Sequence, residues 1–375
     1  MLPWLLAGAV AIAADLPVGQ IVPDVVCAAD ASQSYALYIP RAYTADRSWP
    51  VILAFDPEGR GRTPVERYQS AAEQYGFIVA GSNNSRNGSP DIGKAVVAMS
   101  SDVLSRLRVD ERRLYLAGMS GGARVALSVA LGSREHVAGV IASSAGYPDA
   151  KPRKTIGFPV FATAGTEDFN HLEMRRLDRA LTTPHRLAIF EGGHVWLSSD
   201  LAIAAVEWME LQAMKSGLKP KDGGEIDRIL TRRTAAVEGE RNDKERYLAL
   251  RAIAEDFAGL KDVQSIAAQA TTLGREKAVR DALKRDDDED DREERTVRDV
   301  LMAEARLESI EERSSALSEL RRRWKDLSDA AKRDADSPER RFARRVLGSL
   351  SASAQTKDAD YQKIIAEYRP PRRGQ

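Results

Sequence analysis

Residues 113–124 read Arg-Leu-Tyr-Leu-Ala-Gly-Met-Ser-Gly-Gly-Ala-Arg. An apolar, strand-like run from Leu114 to Ala117 stops at Gly118-Met119-Ser120-Gly121-Gly122, and a helical segment from Ala123 to Leu127 follows. Strand, then Gly-x-Ser-x-Gly, then helix is the context of a nucleophile elbow. The turn is so tight that large neighbouring side chains would clash, which accounts for glycine two residues to either side of the serine. Such a turn holds the hydroxyl in the open. The helix start behind it supplies free backbone N–H groups and a partial positive charge for an oxyanion.

Outward from the elbow, residues 34–215 alternate strand and helix patterns. Residues 34–39, 77–80, 137–142, 159–164 and 186–190 read as strands. Residues 50–55, Pro-Val-Ile-Leu-Ala-Phe, are a near-continuous apolar run of the kind buried on both faces of a sheet. Residues 64–75, 91–107 and 196–215 have helical spacing. This alternation predicts an α/β fold with a mainly parallel sheet and helices on both faces. In such sheets ligands bind at the carboxyl ends of the strands, where Ser120 falls.

A serine nucleophile needs a base and an orienting acid. Only four histidines are present, His136, His171, His185 and His194. After this elbow the partners follow in the order serine, acid, histidine. His136 follows Ser120 too closely to leave room for an acid, and His185 precedes the last strand. His194 lies just past that strand in Phe190-Glu191-Gly192-Gly193-His194-Val195-Trp196, where two glycines let the loop fold back. For the acid, Gly165-Thr166-Glu167-Asp168 follows the preceding strand; Asp168 is the candidate and Glu167 the alternative. His171, close by in sequence, is expected on the surface of the following helix, with a place lining the site as the alternative.

These residues resemble the α/β-hydrolase superfamily, and within it secreted esterases of the feruloyl esterase, polyhydroxybutyrate depolymerase and dienelactone hydrolase type. The resemblance is carried by residues 35–40, 51–55, 109–122, 165–168 and 193–196. It spans about 30–215. It implies a serine ester hydrolase that works through an acyl-enzyme on a small-molecule ester, without a cofactor. Ser120 would be the nucleophile, His194 the base and Asp168 the orienting acid. A serine peptidase of the same fold, or a degenerate hydrolase domain serving as a binding scaffold, are the rival readings.

One departure from that pattern stands out. Such families usually carry a His-Gly pair after the third strand to help form the oxyanion hole, whereas here the chain reads Phe55-Asp56-Pro57-Glu58-Gly59-Arg60-Gly61. Pro57 has no N–H to donate. The first oxyanion donor is expected to be the N–H of Gly121, and the second to come from Asp56, Glu58 or a neighbouring glycine, with Asp56 the candidate. Arg60, Asn83 and Trp196 are the expected substrate-binding residues. Arg60 and Arg62 would favour substrates with a polar or acidic group near the ester.

The remainder of the chain changes character. Residues 217–224, Gly-Leu-Lys-Pro-Lys-Asp-Gly-Gly, read as a linker between an α/β-hydrolase domain at 30–216 and a helical bundle or repeat-like region at 225–375. Helical stripes run through Tyr247, Leu250, Ala254 and Phe257; Val300, Leu301, Leu307, Ile310 and Leu317; Leu320, Trp324 and Leu327; Phe342, Val346, Leu347 and Leu350; and Ile364, Ile365 and Tyr368. Each is narrow and needs neighbours to bury it. The region is expected to bind protein or cap the active site. The acidic run from Asp286 to Asp291 is expected to be a solvated loop between helices.

Met1 to Ala14 carries no charged side chain and ends Ala11-Ile12-Ala13-Ala14, which satisfies the small-x-small cleavage rule. It is too short to span a bilayer as a helix. The expectation is a signal peptide and a periplasmic or secreted protein. No later segment is apolar enough to cross a membrane. Among 375 residues, 56 basic side chains balance 56 acidic ones, so there is no electrostatic case for nucleic acid. One cysteine, Cys27, cannot form an intramolecular disulfide, and the four histidines show no metal-ligand spacing.

Overall fold

The computed structural model describes residues 16–147, 153–353 and 356–369. The segment 1–14, expected as a signal peptide, lies outside the described residues.

Strand β3 (Trp49–Phe55) has all seven residues buried. It carries no charged side chain, as a strand covered on both faces requires. Around it lie β1 (Ile21–Cys27), β2 (Asp30–Tyr38), β4 (Ile78–Ser82), β5 (Val109–Met119), β6 (Gly139–Ser143), β7 (Val160–Gly165) and β8 (His185–Phe190) in the order β1-β2-β4-β3-β5-β6-β7-β8. The β1–β2 and β2–β4 pairs are antiparallel and the rest parallel. With the strand-turn-helix at Ser120, this is an α/β-hydrolase fold. The alternating pattern anticipated every strand except β1. That strand is broken by Pro23 and Asp24, and its pairing with β2 shifts register between Val22 and Val25.

Helices α1 (Arg62–Tyr75) and α5 (Ser199–Ser216) cover one face of the sheet, packing Val65, Tyr68, Val206 and Trp208 on Ile52, Tyr115 and Phe161. Helices α2 (Ile92–Arg106), α3 (Gly121–Gly132) and α4 (His171–Ala180) cover the other with Met99, Val103, Leu127 and Met174. Each fully buried aliphatic side chain contributes roughly 1.5–3 kcal/mol. The parallel register sets Phe55 beside Gly118 and Gly165 beside Phe190, so the carboxyl ends of β3, β5, β7 and β8 open on the same edge.

Among the described residues seven further α-helices follow: α6 (Gly223–Glu238), α7 (Asp243–Phe257), α8 (Gln264–Gly274), α9 (Lys277–Ala305), α10 (Arg313–Ala331), α11 (Pro338–Ser353) and α12 (Ala359–Tyr368). They form two small cores. Leu211 and Met214 of α5 join Ile226, Ile229, Leu250 and Phe257 in one. Trp324, Phe342, Val346 and Ile364 centre the other. Leu301 and Ile310, expected on an apolar stripe, are exposed instead.

The acidic run 286–291 is not a loop. It lies inside α9, where Lys284 pairs with Asp288 one turn on and Arg175 and Arg179 of α4 reach the buried Asp290. Cations supplied by another element offset the repulsion that would otherwise melt this turn. Between α5 and α6, Lys219 bridges the buried Glu210 and Glu225. Among the described residues no helix is long and apolar enough to cross a membrane.

Candidate active site

Ser120 sits between β5 and α3 with φ 53° and ψ −123°. This is a strained conformation for a residue with a β-carbon, and such strain is held only where the surroundings over-determine it. Here the Ser120 N–H donates to the Ser143 carbonyl at 2.8 Å. A β-carbon on Gly122 would fall 1.9 Å from the Phe55 carbonyl oxygen, so only glycine lets α3 start against the end of β3. The N–H of Gly121 is the first of α3, where no intrahelical partner exists.

The His194 Nδ1–H donates to Asp168 Oδ1 at 2.8 Å, and the Ser120 hydroxyl donates to His194 Nε2 at 2.8 Å. Asp168 is fully buried, and its Oδ1 also accepts the Asn170 N–H at 2.8 Å. The two loops that carry the acid and the histidine pack backbone to backbone. The Glu167 N–H donates to the Gly192 carbonyl at 2.8 Å, and a β-carbon on Gly165 would strike the Gly192 and Gly193 carbonyls at 2.3 and 2.4 Å. The structure therefore brings Ser120, Asp168 and His194 into one hydrogen-bonded chain. Glu167, the alternative acid, points the other way, to Arg344 at 2.7 Å and Arg340 at 3.1 Å on α11.

Other expected site residues are engaged elsewhere. The Asp56 side chain is fully buried: Oδ1 accepts the N–H groups of Glu58 and Arg60 at 2.9 and 3.2 Å, and Oδ2 accepts the Trp196 indole N–H at 2.8 Å. The Asp56 side chain is thus a bracket for its own loop and occupies the Glu58 N–H, while the Asp56 backbone nitrogen, the expected second oxyanion donor, lies beside the start of α3, 3.3 Å from where a β-carbon on Gly122 would be. Trp196 is buried in the core, not open to a ligand. Arg60 leans on Glu58 at 2.9 Å, and Arg62 pairs with Glu66 on α1 at 2.6 Å, so neither is an unpaired charge at the rim. The Asn83 amide donates to the Pro23 carbonyl and Ser34 Oγ, tying the β4 loop to β1 and β2. These departures share a cause: a polar side chain near the site finds an internal partner.

Two residues at the site escaped the sequence reading. The exposed Asn87 carboxamide lies against Gly121, where an added β-carbon would sit 1.8 Å from Oδ1 and 2.7 Å from Nδ2. Phe169 stacks on the His194 ring with centroids 3.9 Å apart and planes 28° apart. Neither lies in a motif; only its neighbour in sequence, Asp168, pointed near Phe169.

His171 is the first residue of α4 and is half-buried, with Nδ1 at 3.0 Å from the Gly165 carbonyl. Burial, aided by the nearby Arg345 charge, pushes its pKa down. It lines a cavity of about 1250 Å³ between β8 and the helices, together with Thr166, Arg175, Glu191, Arg341 and Arg345. Ser120, Asp168 and His194 are not on its wall. Among the described residues no group of His, Cys, Asp and Glu is arranged to hold a metal ion.

No family model matches the chain, and no curated protein does. Among solved structures it is similar to a fluorophosphonate-binding serine hydrolase from Staphylococcus aureus at 14% identity and TM-score 0.41, over 52% of this chain and 99% of that one. It is also similar to the feruloyl esterase module from Clostridium thermocellum at 15% identity and TM-score 0.41, over 50% and 87%. A Bacillus cereus carboxylesterase aligns at 17% identity and TM-score 0.37, over 49% and 96%. The fold assignment stands on strand order and the elbow.

Proposed function

We propose that this protein is a serine ester hydrolase of the carboxylesterase type. The observation that carries the reading is the Ser120–His194–Asp168 chain, with both links at 2.8 Å and the serine in a strained turn. Ser120 Oγ bonds to the ester carbonyl carbon and its proton passes to His194 Nε2. The carbonyl electrons move onto oxygen, beside the Gly121 N–H and the start of α3. Collapse expels the alcohol, which takes the proton from His194. Water then repeats the sequence and frees the acid. Asp168 keeps the imidazole in the tautomer that can accept at Nε2 and stabilises the imidazolium.

The Asp56 N–H remains the second oxyanion donor in this reading, and the Asn87 amide is a further one. Pro57 has no N–H, the Glu58 N–H is occupied by Asp56, and Asn87 lies against Gly121. The catalytic unit in this reading, expected at 30–216, starts earlier, because β1 (Ile21–Cys27) pairs with β2, and 225–375 form a helical unit joined through 217–224. Export through the segment 1–14 belongs to the same proposal, and N-terminal sequencing of protein recovered from the periplasm or medium tests it.

A fluorophosphonate probe with a panel of short-chain, long-chain and aromatic esters tests the function. Labelling that is lost in Ser120→Ala, with turnover of at least one ester, is the expected result. A well-folded protein that neither labels nor turns over an ester would favour the scaffold reading.

A further inference from the structure

We propose that Phe169 is a positioning residue for His194, and that helix α11 of the helical unit holds it there through Gly348. The inference rests on the hydrolase reading above, because it gives a role to a residue beside the proposed base.

Phe169 has His194 on one side and α11 on the other. Its ring stacks on the imidazole at 3.9 Å. A β-carbon at Gly348 would fall 2.7 Å from Phe169 Cβ and 3.4 Å from Cγ. That approach is open only to glycine unless Phe169 moves. The helix is fixed against both loops by arginines. Arg340 and Arg344 hold Glu167, and the Arg345 guanidinium donates to the Thr166 carbonyl at 3.0 Å; all three grip the acid loop. Arg341 pairs with Glu191 of the histidine loop at 2.8 Å. These four arginines come from one short stretch, Arg340-Arg341-Phe342-Ala343-Arg344-Arg345, on one side of α11.

The physical need is plain. The hydrogen bonds to Asp168 and Ser120 hold the two nitrogens in the plane of the imidazole but put nothing against its faces, so the ring can roll. Nε2 must stay aimed at Ser120, and a misplacement of about 1 Å costs on the order of a hundredfold in rate. A flat ring against the imidazole face removes the roll. Residues far from the elbow in sequence thus set the aim of the base.

The experiment uses the full chain with Phe169→Ala, Phe169→Tyr, Gly348→Ala and the double variant Phe169→Ala/Gly348→Ala. The readouts are kcat and KM on a p-nitrophenyl ester and the downfield proton resonance of the His194 Nδ1–H. We expect Phe169→Ala to lower kcat about tenfold or more with KM within twofold, and Phe169→Tyr to restore it, since the stacking face returns. Gly348→Ala also lowers kcat, although alanine is the better helix former, so lost helix stability cannot account for it. The double variant is expected to match Phe169→Ala alone, because the push from α11 has no ring to act through.

Wild-type kcat in Phe169→Ala overturns the proposal, as does a Gly348→Ala effect that multiplies undiminished onto Phe169→Ala. Should Phe169→Ala not fold, Phe169→Leu takes its place in the same cycle. The proton resonance separates this inference from the hydrolase reading. A wild-type chain that shows the resonance but turns over no ester refutes the hydrolase reading. A resonance broadened or shifted in Gly348→Ala then still supports the positioning role, and an unchanged one refutes it.

Discussion

The sheet region and the helical region are held by different forces. The sheet buries continuous apolar layers on both faces, with β3 wholly enclosed. Its buried aspartates each act locally. Asp56 brackets a loop, Asp102 takes the Tyr35 hydroxyl and Arg106, and Asp168 holds His194. The helical region meets the sheet region both through a small apolar core shared by α5, α6 and α7 and through buried ions. Glu207 of α5 is held by Arg232 and Arg233 of α6, Asp256 of α7 by Arg186 of β8, and Asp290 of α9 by Arg175 of α4. An apolar layer tolerates repacking, whereas a buried ion left alone is heavily penalised. The ions therefore make the seam specific: they fix where the helices sit, and the loops of Asp168 and His194 lie on it.

The largest effect should fall on chemistry and leave this division untouched. Ser120→Ala is expected to lower kcat/KM more than about a thousandfold with an unchanged melting temperature. A melting temperature that dropped by many degrees would show that the elbow serine also stabilises the sheet. Next, Arg345→Ala strands Glu293, which is 1% exposed and whose carboxyl burial pushes up against the pull of Arg345. The expected cost is about 3–5 kcal/mol by denaturant unfolding at neutral pH. A carboxyl raised in the folded state contributes its stability below its unfolded pKa and loses it as pH rises through the folded value. The variant should accordingly be less damaged at pH 5 than at pH 8; equal damage at both would mean that Glu293 does not carry the charge.

Asn87→Ala sharpens the comparison from the sheet side. The loss of one oxyanion donor is expected to cost about 10²–10³ in kcat, with little change in KM. A loss confined to KM would make Asn87 a substrate contact instead. The smallest expected effect tests whether the sheet needs its helical partner. A chain cut after Lys219 should lose about tenfold or more in kcat, because α11 no longer holds the acid and histidine loops. Cys27 reports on the far edge of the sheet in the same sample. It is 1% exposed, and burial, with the Asp102 charge nearby, pushes its thiol up to about 11. It should resist iodoacetamide at pH 8 in both chains. Rapid labelling of the cut chain would show that the helices support the entire sheet.

Much of the fold was legible because its signals are local. An apolar run of six residues, a two-residue alternation or a glycine-flanked serine each acts over a single turn or strand, and their order set the sheet. Ser120 and His194 could be picked out, and the acid narrowed to Glu167 or Asp168, because few histidines compete and strand ends limit the choices. Strand β1 was missed because a proline interrupts its alternation, and the acidic run was misread because its cations lie on α4, more than a hundred residues away in sequence.

The sequence by itself determined the element order, the strained serine turn, and the serine and histidine of the hydrogen-bonded chain. Only the tertiary structure decided between Glu167 and Asp168, which are adjacent and project to opposite sides, one to α11 and one to His194. It also made Arg60 and Trp196 partners of Asp56 and set Asn87 and Phe169 at the site. The reason is physical: periodicity and turn sterics are properties of neighbours along the chain. The partner of a long polar side chain, or of an aromatic face, is set by whatever the packed backbone brings within a few ångströms.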